Sequence, residues 1–245
     1  MKLLSLLACL LMLGCNKGTP DPSQKPELPT SMTQKPLPFK EGLWIKKYPG
    51  ENTCFKFETP AGIRIVTDPY GLSETIEPTL VTVSHDHYDH NDFSRIKGNY
   101  QVINSVGRFL ESGVTITGIA GIHNKDSMIR NNIYIFELQD MRIAQFASQG
   151  DLPTEGMYQE IGEVDLVIIQ GYHYNPTKLS VPDVRDIIAR LKPKIVIPAH
   201  GDRSTGRELA LLTGAEHVEL FQGELIITKR DLVEMPGLKI LVLDH

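Results

Sequence analysis

The segment SHDHYDHND, residues 84–92, places three of the chain's eight histidines and three aspartates within nine residues. Its core has the spacing His-x-His-x-Asp-His, formed by His85, His87, Asp89 and His90. Imidazole nitrogens and carboxylate oxygens suit zinc, and also iron, manganese or nickel. Because such groups are costly to bring together without a cation between them, the segment predicts a metal site.

The apolar run TLVTVS, residues 79–84, precedes this segment and predicts a strand. The candidate ligands would then stand at the mouth of a sheet, where loops carry chemistry on a rigid scaffold. Side chains alternate along an extended chain, so His85 and His87 can approach one metal together. Asp89 and His90 follow after a bend and can face a second metal beside the first.

Three more candidate ligands each follow an apolar run and lie beside small or turn residues. They are His123 after VTITGIAGI, Asp151 after MRIAQFASQG and His200 after KIVIPA. A lone histidine after a strand is more often a structural residue than a ligand. Three such residues in order behind a histidine cluster favour a shared metal centre.

His173 lies between two tyrosines in QGYHYNPTKL and follows the apolar run VDLVIIQ. Since it falls between Asp151 and His200 in the chain, we predict that it lines the same rim. There it would contact the substrate or protonate the leaving group; an exposed loop histidine is the equally weighted alternative. His217 and His245 pair with no ligand set and are interpreted as structural or exposed.

The composition is that of a soluble globular protein, with 245 residues, 41% hydrophobic and 22% charged, and one domain is the default. A net charge of −5 gives no basic footprint for nucleic acid. Cys54 lies in an alternating apolar run, which predicts a buried structural thiol.

Short strands and interspersed helices are predicted from Leu43 onward. The clearest helix is Val181–Leu191, whose apolar positions share one face and whose start Ser180 and Asp183 can cap. Further helices are predicted over residues 205–212 and near residues 92–96. The expected strands are LWIKKY, TCFKFET, IRIVTD, TLVTVS, QVINSV, VTITGI, NIYIFEL, MRIAQFA, VDLVIIQ, KIVIPAH, HVELF and ELIITK. This order predicts an α/β layered domain with helix-covered sheets.

The N-terminus MKLLSLLACLLMLGC has a lysine, an apolar run too short to span a bilayer, and then Cys15. It resembles a bacterial lipoprotein signal peptide. This implies removal of residues 1–14, lipidation of Cys15 and a membrane-anchored protein of the bacterial cell envelope, periplasmic or on the outer surface. An ordinary secretion signal or an uncleaved anchor are the alternatives. Residues 15–40 are rich in proline and predict a disordered tether, which leaves residues 41–245 as the folded domain.

The set SHDHYDH, GIH, ASQGD and IPAHGD resembles the metallo-β-lactamase superfamily of binuclear metal hydrolases, over nearly all of residues 50–205. NTCFKFETPAGIRIVTDPYG is also similar to the opening hairpin of that family. The tyrosine in HDHYDH and the segment LKPKIVIPAH look most like the branch with ascorbate-6-phosphate lactonases and N-acyl-phosphatidylethanolamine phospholipase D. The implied fold is a four-layer αββα sandwich with the metals at one edge of the sheets.

The resemblance also implies two divalent metal ions. Zn²⁺ is the favoured metal, with Mn²⁺ or Fe²⁺ as alternatives. The ligands implied for the first metal are His85, His87 and His123. Those implied for the second are Asp89, His90 and His200, with Asp151 bridging the two ions. ASQGD departs from the branch, which often has a histidine or another residue before Gly-Asp and Thr-Gly after it. Here Leu152 and Pro153 follow Asp151, so the departure leaves the metal ligand in place and affects the neighbouring substrate contacts.

The activity expected is hydrolysis of an ester, lactone, amide or phosphodiester of a small molecule or lipid by a metal-bridging hydroxide, which Asp89 could also orient. One alternative is a phospholipase D-like phosphodiesterase acting on membrane lipids. Another is an envelope protein that binds metal without turnover. A true β-lactamase, a glyoxalase-like thioester hydrolase and a nuclease fit less well. A flavodiiron-like enzyme usually needs a fused flavin domain, which this length does not provide.

Overall fold

Two β-sheets lie face to face in the computed structural model, which describes residues 41–49, 53–126, 129–173, 175–199, 203–220 and 223–243. The signal segment 1–14, Cys15 and the segment 15–40 therefore fall outside the described residues, and export and lipidation stay predictions from the sequence. None of the helices built from described residues combines the length and the apolar character needed to cross a bilayer.

The first sheet has six strands in the order β13-β1-β2-β3-β4-β5. Its members are β1 (Leu43–Lys47), β2 (Phe55–Glu58), β3 (Arg64–Thr67), β4 (Leu80–Thr82), β5 (Gln101–Ile103) and β13 (Glu224–Ile227). Strands β3, β4 and β5 run parallel, whereas the other pairings are antiparallel. The carboxyl ends of β3 and β4 therefore meet at one edge of the sheet.

The second sheet has eight strands in the order β12-β14-β11-β10-β9-β8-β7-β6. Its members are β6 (Gly107–Glu111), β7 (Val114–Ile122), β8 (Arg130–Leu138), β9 (Met141–Gln145), β10 (Leu166–Ile169), β11 (Ile195–Pro198), β12 (Glu216–Leu220) and β14 (Lys239–Leu243). The half from β9 to β12 is parallel and the half from β6 to β9 is antiparallel. This sheet contributes His123 directly after β7.

The main core lies between the two sheets, because alternate side chains of both turn inward. Phe57 of the first sheet meets Phe136 of the second edge to face, with ring centroids 5.2 Å apart. The opposite side chains of the second sheet, among them Ile135 and Val167, pack with apolar residues of the helices in a separate cluster. The sandwich expected from the resemblance is confirmed.

The described residues also form four helices: α1 (Glu155–Ile161), α2 (Val181–Leu191), α3 (Arg203–Thr213) and α4 (Lys229–Glu234). Helix α2 has the predicted bounds, and its five expected apolar residues are buried. The Ser180 hydroxyl accepts the Asp183 N–H at 3.2 Å, and the Asp183 carboxylate accepts the Ser180 N–H at 2.8 Å. The capping box predicted from the sequence is therefore present.

A loop covers part of the outer face of the first sheet, where Tyr48, Val66 and Val81 form an apolar cluster with Leu72 and Ile96. The short helix expected near residues 92–96 is wrong. That stretch makes a single turn, closed by the Ile96 N–H on the Phe93 carbonyl at 3.0 Å. The Asp92 carboxylate accepts the Ser94 N–H at 2.9 Å, which offers the backbone a local alternative to a helix.

The other predicted strands, and the helix expected over residues 205–212, are confirmed to within three residues at each end. Strands β6 and β14 and helices α1 and α4 had no counterpart in the sequence-based prediction. Cys54 is fully buried, as expected, and burial raises the pKa of its thiol to about 12.

Replacing Ser180 with alanine removes the side-chain acceptor at the start of α2. We expect the free energy of unfolding to fall by about 1 kcal/mol, measured by urea denaturation. Ser105, an exposed serine in a loop, serves as the matched control, and S105A should change stability by less than about 0.5 kcal/mol. Equal stability of the wild type and S180A would contradict the capping role.

Candidate metal centre

The loops after β4 and β7 bring four histidine rings together at one edge of the sandwich. The ring centroid of His85 lies 4.1 Å from that of His90 and 4.3 Å from that of His123. His87 is slightly more distant, 5.9 Å from His85 and 6.0 Å from His123. Four of the residues predicted as ligands, from two different sheets, therefore lie in one cluster.

His90 is held by a buried carboxylate at the end of β3. Asp68 Oδ2 lies 3.2 Å from His90 Nδ1 and accepts the Thr53 hydroxyl at 2.8 Å, while Asp68 Oδ1 accepts the Ser84 N–H at 2.7 Å. The other ring nitrogen, Nε2, lies 3.2 Å from the Ser148 hydroxyl. This arrangement fixes the orientation of the ring and aims Nε2 into the cluster.

Asp68 and His90 each stabilise the charged form of the other in this buried position. Burial would favour the neutral acid of Asp68, but His90 and the two hydrogen-bond donors outweigh it and hold the pKa of the carboxyl below its usual range. Burial would likewise lower the pKa of His90, but the adjacent Asp68 carboxylate outweighs it and raises that pKa. A carboxylate behind a histidine is the arrangement that orients a metal-ligating imidazole and increases its basicity.

The two ring nitrogens of His85 differ in their contacts. Nδ1 lies 2.9 Å from the Ser84 hydroxyl, whereas Nε2 is buried and makes no hydrogen bond to any described residue. Burial lowers the pKa of the imidazole to about 3, so the ring is neutral at neutral pH. A neutral ring with an unpartnered, buried nitrogen has the form in which histidine binds a metal.

His123 is contacted by a lysine that approaches from the segment between β10 and α2. Lys178 Nζ donates to the His123 carbonyl at 2.5 Å and lies 3.0 Å from both ring nitrogens. Burial, with a smaller contribution from this ammonium, lowers the pKa of His123 to about 4. Burial also lowers the pKa of Lys178 to about 8.

Asp89 and His87 face each other at the exposed side of the cluster. Asp89 Oδ1 forms an ion-pair contact with His87 Nδ1 and lies 3.7 Å from His90 Nε2. Burial would raise the pKa of Asp89, but the His87 hydrogen bond and the neighbouring imidazoles outweigh it and lower that pKa. Asp89 is therefore an ionised carboxylate beside His87 and His90, and of these two His90 was predicted to bind the second metal together with it.

The backbone of the loop carrying Asp151 lies against His123, but the carboxylate turns elsewhere. The Gly150 N–H donates to the Ile122 carbonyl at 2.6 Å, and a Cβ on Gly150 would lie 2.7 Å from the His123 carbonyl oxygen. Asp151 Oδ1 accepts the Leu152 N–H at 2.9 Å and lies 4.0 Å from Lys125 Nζ. The structure thus brings the loop to the cluster and leaves the bridging role of Asp151 a prediction.

Gln149 joins the two loops that carry His123 and Asp151. Its carbonyl oxygen accepts the Ile122 N–H and the Asn131 amide, both at 3.2 Å, and its amide donates to the Asp151 carbonyl at 2.9 Å. The residue before Gly-Asp, noted in the sequence as a departure, therefore has a structural function between the loops.

Of the two other predicted site residues, one cannot be placed and the other contacts a helix. His200 falls outside the described residues. His173 contacts helix α3, with Nδ1 2.9 Å from Glu208 Oε2 and Nε2 3.3 Å from the Thr205 hydroxyl. These contacts connect the loop after β10 to α3, and the substrate role of His173 stays a prediction.

Several of the potential metal-binding atoms face neighbouring side chains. Across the described part of the chain, no group of three or more His, Cys, Asp and Glu side chains is arranged to hold a metal ion as it stands. His87 points at Asp89, and Lys178 lies on His123. The residue types nevertheless fit a metal centre, and the unpartnered Nε2 of His85 is the atom that a metal would satisfy.

Two cavities differ in their relation to this cluster. One of about 370 Å³ borders His85 and is lined by Val83, Asp86, Asn91, Phe93, Val102 and Asn104. Another of about 1130 Å³ lies near the starts of β9 and β10, at the opposite edge of the sheet. There Lys229 Nζ pairs with Asp165 at 2.6 Å, so charges of this second cavity are at least partly compensated within it.

Residues 48–200, more than half of the chain, match the family model of the beta-lactamase superfamily domain. The chain belongs to the metallo-β-lactamase superfamily. The matched range contains all the histidines of the cluster. It ends at His200, the last of the predicted ligands. Comparison with curated proteins gave no match.

Solved structures of the same fold include proteins with different metals. A proposed zinc-dependent hydrolase of the superfamily from Thermotoga maritima has 22% identity and a TM-score of 0.68, covering 82% of this chain and 98% of its own. An isothiocyanate hydrolase from gut bacteria of Delia radicum has 13% identity and a TM-score of 0.54, covering 70% and 93%. CmlA from Streptomyces venezuelae, a diiron β-hydroxylase, has 14% identity and a TM-score of 0.54, covering 84% and 53%. At these identities the likeness establishes the fold of this superfamily member.

Three residues of the centre were not assigned a role from the sequence. Asp68 carried a signal, since it ends a predicted strand in an Asp-Pro pair. Gln149 and Lys178 carried none, because a glutamine before glycine and a lysine after threonine are ordinary loop residues. Their contacts depend on loops that are distant in the chain.

Asp68 has φ of 42°, a left-handed conformation that asparagine adopts readily, so Asp68→Asn tests the charge while keeping the backbone. The amide cannot accept from three donors, and we expect a loss of about 1–3 kcal/mol of stability. Because His90 loses its orienting carboxylate, metal affinity should fall by about 10- to 100-fold. Thermal unfolding and metal titration provide the two measurements.

Asp140 offers a matched control, since it is exposed and has φ of 59°. We expect D140N to keep wild-type metal affinity and to change stability by less than about 0.5 kcal/mol. If D68N and D140N behaved alike, the buried carboxylate would have no special function in the centre.

Proposed function

We propose that this protein is a hydrolase whose centre binds two divalent cations. Zinc is the favoured metal, and manganese or iron are the alternatives. One observation carries the proposal. The ring centroids of His90 and His123, which come from two sheets, lie 4.1 and 4.3 Å from that of His85, whose buried Nε2 has no hydrogen-bond partner among the described residues. Proteins of this fold use different metals, since one is described as zinc-dependent and another as a diiron enzyme. The metal of this protein therefore has to be measured.

The proposed ligands follow the sequence pattern. His85, His87 and His123 would hold one cation, and Asp89, His90 and His200 the other, with Asp151 between them. Bound cations would supply Lewis acidity and make a water molecule acidic enough to lose a proton near neutral pH.

The chain's own residues orient these groups and the reactants. The Ser84 hydroxyl fixes the ring of His85 through Nδ1, and Asp68 fixes the ring of His90 in the same way. Asp89 is ionised and partly exposed, so its carboxylate can accept a hydrogen bond from an attacking water and orient it. The cavity beside His85 offers both apolar and amide groups to a substrate.

A second candidate function is a phosphodiesterase acting on lipids or other amphiphilic substrates. It is favoured by large apolar side chains on the loops that carry the predicted ligands. Tyr88 is 70% exposed and lies 4.7 Å from the His87 ring, Ile129 is 49% exposed, and Leu152 is 42% exposed beside Asp151. The His123 N–H donates to the Ile129 carbonyl at 2.7 Å, which keeps this residue next to the centre. Such a rim would suit a substrate with an apolar portion.

Alanine at His85 and His87 together removes two of the proposed ligands of one cation. We expect metal content, measured by elemental analysis of the purified protein, to fall by at least one equivalent, and turnover to fall by more than about 1000-fold. H217Q changes a histidine of strand β12 and should retain both. Wild-type activity in chelator-treated, metal-free protein would reject the mechanism.

Substrates for this test are a chromogenic ester, a lactone, a phosphodiester and phospholipid vesicles. Hydrolysis of the vesicle lipid above all others would favour the second candidate. If the protein binds two metals but hydrolyses no substrate of the panel, the alternative of a protein that binds metal without turnover would be favoured.

His173→Ala tests the proposed contact of this residue with substrate or leaving group. If His173 acts on the substrate, kcat or KM should change by about tenfold or more, whereas Glu208→Gln, which weakens only its contact with α3, should have a smaller effect. Steady-state kinetics on the best substrate of the panel gives the comparison. If H173A has unchanged kinetics, the function of His173 is to anchor its loop on α3.

A further inference from the structure

Lys178 places a nearly buried ammonium group among the predicted ligands. The segment that carries it leads from β10 into α2, and it is tied to the loop after β7 by the Lys125 N–H on the Thr177 carbonyl at 3.2 Å. The lysine side chain is directed at His123, whose carbonyl oxygen accepts from Nζ at 2.5 Å. Only 8% of the residue is exposed, so this position differs from that of a surface lysine.

The ammonium lies beside the rings of the cluster and not only at the His123 carbonyl. Nζ is 3.0 Å from both ring nitrogens of His123, and the His123 ring centroid lies 4.3 Å from that of His85. Nζ is therefore next to the space where the reaction is proposed to occur.

The charge of Lys178 lacks a close anionic partner within the part of the chain that the structure describes. Its hydrogen bonds are to the carbonyl and the ring of His123, and Asp89 is the carboxylate that influences it from a greater distance. Asp89 is itself in contact with His87. A buried charge whose nearest contacts are a neutral carbonyl and an imidazole is costly, and an anion would stabilise it.

Cations held by the same histidines would increase the positive charge around Lys178. Like charges this close repel strongly in a partly buried site, and an anionic group touching both relieves that repulsion. A carboxylate or phosphate of the substrate has the size, charge and acceptor atoms for this position.

We propose that Lys178 binds an anionic group, a carboxylate or a phosphate, on the substrate of this centre, an inference that rests on the hydrolase function proposed above. The substrates would then be esters, lactones, amides or phosphodiesters with negative charge close to the bond that is cleaved. The alternative is that Lys178 only supports the loop of His123 through the carbonyl bond.

The test compares two esters of equal length, p-nitrophenyl valerate and mono-p-nitrophenyl glutarate, which differ by a terminal carboxylate. We expect Lys178→Met, which keeps the length of the side chain and removes its charge, to lower kcat/KM for the glutarate ester by about 10- to 100-fold. Any loss of kcat/KM for the valerate ester, which offers no carboxylate to Lys178, should be at least about tenfold smaller. K97Q, at an exposed lysine, is the control for loss of one positive charge and should leave both esters at wild-type rates.

A second readout does not depend on turnover. Binding of inorganic phosphate to the protein as purified, measured by isothermal titration calorimetry, should weaken at least about tenfold in K178M and remain unchanged in K97Q. Thermal unfolding and metal analysis of each variant establish that the fold and metal content are retained. An equal loss on both esters in K178M, or unchanged phosphate affinity, would overturn the proposal and leave Lys178 as a support for the His123 loop.

The two proposals can fail separately. If wild-type protein binds phosphate through Lys178 but hydrolyses neither these esters nor the panel, the hydrolase function fails while the anion site stands. If both esters are hydrolysed with equal loss or no loss in K178M, the hydrolase function stands and the anion site fails.

Discussion

The buried contact between Asp68 and His90 is the interaction on which the metal centre depends. Asp68 directly follows β3, and its carboxylate accepts hydrogen bonds from Ser84, shortly after β4, and from Thr53, shortly before β2. One side chain therefore connects three points of the first sheet and the loop that carries the histidines. A carboxylate this deep is stable only because the donors and the imidazole compensate its charge, so the network must form as a whole.

Parallel pairing of β3 and β4 makes this contact possible, because it sets the ends of both strands at the same edge. His123 comes from the other sheet, at the end of an antiparallel strand that reaches the same edge. The packing of the two sheets through Phe57, Phe136 and their neighbours then fixes the distance between the two loops. The centre is thus a product of the sandwich, and neither sheet alone would supply it.

Electrostatics in the cluster separate residues of similar type into different functions. His85 and His123 are kept neutral by burial and His90 is favoured as a cation by Asp68, although all three are histidines within a few ångströms. Lys178 adds positive charge to the same space. Bound metal cations would add to this positive charge, and an anionic group of the substrate would balance it. This requirement links the proposed function to the proposed specificity.

The sequence by itself determined the local elements and the residue types of the centre. Apolar periodicity and capping residues are local, and they located α2 to the residue and most strands to within a few positions. The His-x-His-x-Asp-His spacing identified the cluster, since strand alternation is set by the backbone. Strand β6 was not predicted because it is an exposed edge strand with little alternation of apolar residues. Helices α1 and α4 were not predicted because they are too short to show a clear helical periodicity of apolar residues.

Only the tertiary structure decided which side chains support the ligands. The carboxylate of Asp68 meets His90, Gln149 joins two loops, and Lys178 reaches His123 across 55 positions of the chain. Such contacts depend on strand order and sheet packing, which arise from many weak, non-local interactions and leave no mark in the spacing of neighbouring residues.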